Sequence, residues 1–512
     1  MKKKQYFITN DPSIHLTSEE GFSNHTIDDY TVFCHEDLEC TLSRNNVTQK
    51  SMQRVTLSLS KCDVEARKQN GTVTILGFII DPNQPEAANQ DIADTLAKST
   101  STTHLFKALE LLTGKFALFY TSETHTMLLT DFFSERQLYY WKRDDYYYIS
   151  SSDKLILDVL QLSPEISTEK KTLVDDPLFL NINEHWLLSE EDWDERIKKL
   201  IPNQYLDIRK NKTERLPIFV SNQLEEAEVL TAFKTYLQNV MKAITLRYTS
   251  IYFPITAGYD SRLLLAASIQ WKDNMKFYIF NSGKTYVLRD VKIAKQIAKK
   301  FHLDFEEIKV PDMSPAFKKE FASHFIVPRF LSKTRNIAWF KEHITTPTVN
   351  ISGGGGNLKG VYDEAAFTTI DDICKAIEYE NIPIHKKALE KWRVEARPYA
   401  EQYNIPLNDL FFQELRMAKW AAKMYHEADI TAVDYYSPLN SRHIMYMAFL
   451  NIPAERRHKP ASILFKTLTE DMLPGATQIP YNPKTWRDYI KSIIPYQRIK
   501  KQVRLVRYGN KL

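Results

Sequence analysis

Apolar residues in the first ~215 positions come in short β-branched or aromatic runs bounded by turn residues: "VTLSLS" (55–60), "TVTILGFIID" (72–81), "KFALFYTS" (115–122), "HTMLLTDF" (125–132) and "YYYISSS" (146–152). Such runs predict strands. Between them, "DIADTLAKS" (91–99) and "LFKALELL" (105–112) have helical spacing. The mixture predicts an α+β unit built on mostly antiparallel sheets. A polar, charged interval at 209–216, "RKNKTERL", closes it, dividing the chain into one domain at 1–215 and another at 216–512.

After this interval the period changes. Val229, Phe233, Leu237, Val240, Met241 and Ile244 recur at three- and four-residue steps, the apolar face of a long helix, with Asn222 and Glu225 in capping-box positions before it. Strand-like "SIYFPIT" (250–256) leads into helix-like "SRLLLAASIQW" (261–271). Strand-like "KFYIFNS" (276–282) leads into "RDVKIAKQIAKKF" (289–301), where Val291, Ala294, Ala298 and Phe301 share a face. "DFEEIKV" (304–310) and "TVNIS" (348–352) read as further strands. Alternating strands and helices predict a parallel, doubly wound α/β sheet, whose ligands bind beyond the carboxyl ends of the strands. Beyond ~370 the pattern is helical, clearest in "LFFQELRMAKWAAKMYHEA" (410–428) and "SRHIMYMAFLNI" (441–452).

Composition adds limits. The chain has 512 residues, 43% hydrophobic and 12% aromatic, enough to fill the cores of two or three domains. Its 68 basic and 64 acidic residues leave a net charge of +4, which makes no general case for nucleic acid or membrane partners. The basic stretch "IKSIIPYQRIKKQVRLVRYGNKL" at the end reads as a solvated terminal helix. There is no run of about 18 apolar residues for a membrane span, and no apolar core of a signal peptide after "MKKKQ", so a cytoplasmic protein is expected. Cys34, Cys40, Cys62 and Cys374 are too scattered for a disulfide scaffold, and the first three with His35 lack the close Cys pairs of a zinc site.

Two stretches carry candidate chemistry. The turn Thr256-Ala257-Gly258-Tyr259-Asp260-Ser261 sits where a strand meets a helix. A helix N-terminus binds anions, glycine admits close backbone approach, and Thr256 and Ser261 add hydroxyls. An aspartate in an anion site makes sense if Mg²⁺ bridges it to phosphate; Asp260 as a plain helix cap also fits. The second stretch is "ISGGGGNLKGVY". Of only 13 glycines in the chain, five stand here: Gly353, Gly354, Gly355, Gly356 and Gly360. Following a strand-like run, they belong at a strand's carboxyl end, either as a ligand-cradling loop or as a flexible one.

The turn, the second strand and helix, the glycine loop and "YYSPLNSRHIMYMAFLNIPAERR" with "DMLPGATQIPYNPK", taken in this order, resemble the ATP-pyrophosphatase domain of the asparagine synthetase family. "LELLTGKFALFYTSETHTMLLTDFFSERQLYYWKRDDYYYISSSDKLIL" is similar to the glutaminase-type domain that these enzymes carry first. The resemblance covers about 70–512. It implies a glutaminase-like (Ntn-type) β-rich sandwich, then a doubly wound parallel-sheet domain with a helical C-terminal part. It also implies ATP and Mg²⁺ as cofactors, with ATP held by Ile255, Thr256, Ala257, Gly258, Tyr259, Asp260, Ser261, Ile279, Ser352, Gly353 and Gly354. Asp260 and Asn357 would hold the metal, and Lys484 or Lys459 would be the catalytic lysine beside Asp260. The implied reaction adenylates a carboxylate and passes the acyl group to ammonia or an amine.

The chain departs from the family at three points. Lys2 stands where the glutaminase has its nucleophilic cysteine, so no glutamine hydrolysis is expected. Gly354 and Asn357 replace acidic residues of the family's glycine loop, with Asp363 or Glu364 as substitutes. The lysine has no unambiguous match: Lys484 falls two places late, and Lys459 is the weaker candidate. The nitrogen would come from free ammonia, a partner protein or a substrate amine, and the carboxylate from a small molecule, a peptide or a sugar acid. A homodimer is also expected. The alternative is a catalytically impaired relative that serves as a nucleotide-binding scaffold. An RNA-modifying ATP pyrophosphatase fits less well, because paired cysteines and basic RNA surfaces are missing.

Overall fold

The computed structural model describes residues 4–46, 64–65, 68–176, 179, 184, 186–188, 190–354, 358, 360–379 and 382–483. The strand expected at 55–60, Cys62, Gly355, Gly356, Asn357, Lys484 and the basic segment at 490–512 lie outside the described residues.

The strands of the first half are β1 (Tyr6–Thr9), β2 (Phe22–Ile27), β3 (Tyr30–His35), β4 (Cys40–Asn46), β5 (Val64–Glu65), β6 (Lys68–Ile80), β7 (Thr113–Thr121), β8 (Thr126–Thr130), β9 (Tyr139–Arg143), β10 (Tyr146–Ser150), β11 (Lys198–Lys199), β12 (Gln204–Asp207) and β13 (Lys212–Arg215). They form two sheets, ordered β11-β9-β10-β1-β3-β2 and β13-β12-β8-β7-β6-β4-β5. Neighbours are antiparallel except β4 and β5. The two-residue side-chain period explains the stacking. Tyr6 and Ile8 of β1 face Leu76, Ala117, Phe119 and Leu128 across the sandwich. Phe7 between them points the other way, toward Ile156 and Leu157 of a short outer helix. In β7 the run is apolar throughout because both faces are covered: Ala117 and Phe119 fill the sandwich, while Phe116 and Leu118 pack on helices α1 (Asn89–Ala97) and α2 (Thr102–Leu111).

The second half opens with α3 (Glu226–Arg247). Its N-cap is Glu225, whose N–H donates to Glu228 Oε2 at 2.8 Å. This corrects the box expected from Asn222: the amide of Leu224 is already taken by Asn451 Oδ1, which holds the chain extended up to Glu225.

A five-stranded sheet follows, built from β14 (Ile251–Pro254), β15 (Lys276–Asn281), β16 (Phe305–Lys309), β17 (Thr348–Ile351) and β18 (Val433–Tyr436). Its order is β16-β15-β14-β17-β18, all parallel. The chain moves outward from β14 to β16, then crosses back to β17, so the switch point lies between β14 and β17. Phe253, Phe277, Ile279, Val349 and Ile351 face a core shared with α3, α4 (Tyr259–Ser268) and α5 (Thr285–Phe301). Tyr252, Tyr278, Ile308, Val433 and Tyr435 face Phe317 and Phe321 of α6 (Pro315–Ser323) and Ile337 and Phe340 of α7 (Thr334–His343). Helices on both faces make the sheet doubly wound. The C-terminal part is helical, and residues 412–421 are π-helical within the stretch read as one helix.

Polar contacts join the halves. Thr113 Oγ1 donates to Asn440 O at 2.6 Å, and Asn440 Nδ2 donates to Gly114 O at 2.9 Å. The Asp429 carboxylate takes Lys115 Nζ and Arg136 Nη1, both at 2.7 Å. Burial alone would raise the Asp429 carboxyl; the Arg136 and Lys115 cations outweigh burial and hold it well below the usual range. Among the described residues no helix is long and apolar enough to cross a membrane.

Candidate functional site

The turn 255–261 lies at the carboxyl end of the central strand β14, beside the switch point. Gly258 is the N-cap of α4, with extended backbone at φ −77° and ψ 166°. Its N–H donates to Thr256 Oγ1 at 3.1 Å, and Thr256 Oγ1 and Ser261 Oγ lie 2.9 Å apart in a hydrogen bond that crosses the turn. Asp260 and Ser261 occupy the first turn of α4, where the N–H groups have no acceptor within the helix. Ile255 N–H donates to Tyr278 O at 2.8 Å, which ties the turn to β15. Ile279, one residue on, is buried in the core beneath α4 and α5.

The glycine loop arrives from β17, the neighbour of β14. A Cβ added at Gly353 would stand 2.8 Å from Asp260 Cβ and 3.5 Å from Ser261 N. The two stretches singled out in the sequence therefore touch at Asp260. Ser352 N–H donates to Tyr436 O at 2.8 Å, and its hydroxyl bonds to the Tyr425 hydroxyl. Gly354 is closed in likewise: a Cβ there would meet Tyr425 Oη at 2.7 Å, and its carbonyl accepts from Ser437 Oγ at 2.6 Å. The tight packing on Tyr425 and Ser437 leaves no room for a side chain at 354.

Of the lysine candidates, Lys459 is exposed, and the carbonyl of the next residue, Pro460, accepts from Tyr259 Oη at 3.1 Å. This places it near the first turn of α4. Lys484 lies outside the described residues, but the chain before it does not. Asn482 N–H donates to Ala257 O at 3.0 Å, and Arg289 Nη1 donates to Pro483 O at 3.1 Å.

Several residues of the site were not legible in the sequence. The Asp290 carboxyl, in the second turn of α5, lies beside the Ala257 amide; burial raises it above the ordinary range and the amide opposes the rise. Glu135, from the first half, is fully buried and accepts from Ser437 N–H at 3.2 Å. Burial, then the charge of Asp131, push the Glu135 carboxyl well up. Tyr481 stacks on Tyr259 with ring centres 4.4 Å apart and planes at 6°.

No family model matches the chain, and no curated protein is significantly similar to it. Among solved structures, the chain is similar to the glutamine phosphoribosylpyrophosphate amidotransferase of B. subtilis complexed with ADP and GMP, at 10% identity over 73% of either chain and a TM-score of 0.22. A structure described as the allosteric regulatory enzyme of purine biosynthesis gives 9% identity over 74% of this chain and 73% of the other, with a TM-score of 0.23. The glutamine-dependent NAD⁺ synthetase of Acinetobacter baumannii with ADP gives 12% identity over 52% of this chain and 65% of the other, with a TM-score of 0.20. At these scores none of the three carries an argument about fold or activity.

Proposed function

We propose that the chain is an ATP-dependent, AMP-forming amide ligase of the asparagine synthetase type, without a glutaminase of its own. The observation that carries this reading is the contact of Gly353 with Asp260, which brings the helix N-terminus and the glycine loop together at a switch point. The triphosphate would lie on the N–H groups of the first turn of α4, with the Thr256 and Ser261 hydroxyls beside it. Glycine at 353 lets the loop backbone close directly on Asp260, where a side chain would collide.

Among the described residues no group of three acidic, histidine or cysteine side chains gathers to hold a metal. Mg²⁺ would thus take Asp260 and phosphate oxygens, a pattern it commonly adopts, with Asn357 as a further oxygen donor. Bound there it would neutralise charge on the leaving pyrophosphate. Lys484, following the stretch anchored at Ala257, is the stronger lysine candidate to stabilise the reacting phosphate; Lys459 is the other. The acyl acceptor would be ammonia or an amine, supplied free, by the substrate or by a partner.

Two titrations test the reading. Mg-ATP should raise the melting temperature of the wild type: a ligand at 100 times its Kd adds about 2.7 kcal/mol. Asp260→Asn should abolish the rise. Pyrophosphate release is then screened over carboxylates with ammonium or hydroxylamine present. Absence of any Mg-ATP shift in the wild type sinks the nucleotide reading. A shift with no turnover on any carboxylate favours the second reading, a nucleotide-binding scaffold. That reading is motivated by the packing at Gly354, which excludes the acidic side chain of the family's loop.

A further inference from the structure

We propose that residues 476–483 form a strap that belongs to the nucleotide site: Tyr481 and Arg262 are positioning residues that hold the main chain of Asn482 against the turn, and Mg-ATP binds at full affinity only with the strap docked. This rests on the nucleotide reading above.

The chemistry of Arg262 is the first argument. It stands in α4 immediately after Ser261 and is 1% exposed, and among the described residues its guanidinium forms no ion pair with a carboxylate. Its Nη1 and Nη2 donate to backbone carbonyls of the strap instead: Nη1 to Ala476 O at 3.3 Å and to Ile479 O, and Nη2 to Pro480 O at 3.1 Å. Burying a guanidinium carries a large desolvation penalty, and an apolar side chain would fill the same space without it. What the arginine adds is a fixed main-chain path for one loop.

The second argument is the place where that path leads. The Tyr481 ring stacks on Tyr259, the first residue of α4, and the Arg262 guanidinium lies 3.8 Å from the Tyr481 ring centre. The next residue, Asn482, donates its N–H to Ala257 O. The Asp290 carboxyl of α5 lies beside the Ala257 amide. The peptide group that follows Ala257 is thus gripped by the strap, just ahead of the N–H groups that would face phosphate. A third anchor keeps the strap's origin in place: the Glu470 carboxylate accepts from the N–H groups of Gly475 and Thr477, at 2.6 and 3.2 Å. Without these contacts the turn would lose its outer wall, and the N–H groups of α4 would be less well aimed.

The test uses the full-length protein and Mg-ATP as the probe. Affinity is measured by calorimetry for the wild type, Tyr481→Ala and Tyr481→Phe. Hydrogen exchange of peptides covering 476–483 is followed in the wild type with and without saturating Mg-ATP. Tyr481→Ala should weaken binding by about tenfold or more, and Tyr481→Phe, which keeps the ring, should restore it to within about twofold. By reciprocity, Mg-ATP should slow exchange of the Asn482 amide. Wild-type affinity in Tyr481→Ala, or unchanged exchange at Asn482 with ATP bound, overturns the inference while leaving the nucleotide reading intact. If Tyr481→Ala does not fold, the exchange experiment on the wild type decides alone. A wild type that does not bind Mg-ATP refutes the nucleotide reading, and the strap's role with it.

Discussion

Gly353→Ala isolates the contact on which the functional reading stands. Its Cβ would lie 2.8 Å from Asp260 Cβ. Carbon atoms prefer about 3.5–4.0 Å, so loop and helix must part by about 0.7 Å or more. Neither side yields easily, since Asp260 Cβ is fixed to the first turn of α4 and Ser352 is tied to Tyr436 and Tyr425. Overpacking of this kind costs about 1–3 kcal/mol, which lowers the melting temperature by several degrees. Misplacing a reacting group by 1 Å can cost about a hundredfold in rate, so a tenfold loss of Mg-ATP affinity is a conservative expectation. A tenfold weaker site at the same ATP concentration retains about half of the 2.7 kcal/mol of stabilisation described above. Thermal melts with and without Mg-ATP read both effects. An alanine variant with the wild-type melting temperature and the full Mg-ATP shift would refute the contact as a determinant of the site.

Two further outcomes concern the frame. Asp429→Asn removes the charge shared by Lys115 and Arg136, both almost fully buried, leaving Arg136 the more distant Asp434 at 3.6 Å and Lys115 the Tyr425 carbonyl; it should cost about 3 kcal/mol in denaturant unfolding, and a loss under 1 kcal/mol would show that these remaining partners suffice. His385, 1% exposed against Phe179 and Tyr379, has its pKa pushed down to about 3 by burial, then by Lys419 and Lys170. The unfolded chain takes up that proton below about pH 6.5, so stability present above pH 6.5 is lost toward pH 3 at up to ~1.4 kcal/mol per pH unit. His385→Phe should flatten the slope in that window, and an unchanged slope would show that His385 does not stay neutral in the folded state.

Much of the frame could be read from periodicity, because burial imposes it. The apolar face of α5 and the strands beside α4 are patterns of neighbours in sequence. Several short strands escaped, β1 to β4 and β9 among them in the first half; in the parallel sheet the one missed, β18, is a four-residue run, "VDYY", set among helices, where a short β-branched and aromatic stretch does not stand out. The chemistry of the turn was equally local, since Thr256, Gly258, Asp260 and Ser261 fall within six positions. The rest of the site was not local. Asp290 lies next to the apolar face of α5 and looks like a solvated residue until the Ala257 amide is seen beside it. Arg262 and Ala476 are 214 positions apart, and no spacing rule links an arginine to backbone carbonyls that far away.

The same distinction bears on what the first half of the chain is for. The proposed ligase reaction gives it no chemical task. In the fold, however, it packs directly behind the glycine loop. Asp131 accepts from the amides of Phe133, Glu135 and Arg136 and so shapes the segment 131–136. That segment sends Arg136 to Asp429 and Glu135 to the Ser437 amide, and the Ser437 hydroxyl in turn holds the Gly354 carbonyl. The first half is tied through the buried Glu135–Ser437 bond and the partly buried Ser437–Gly354 bond to the residue next to the Asp260 contact, so it acts as the wall against which the glycine loop is set.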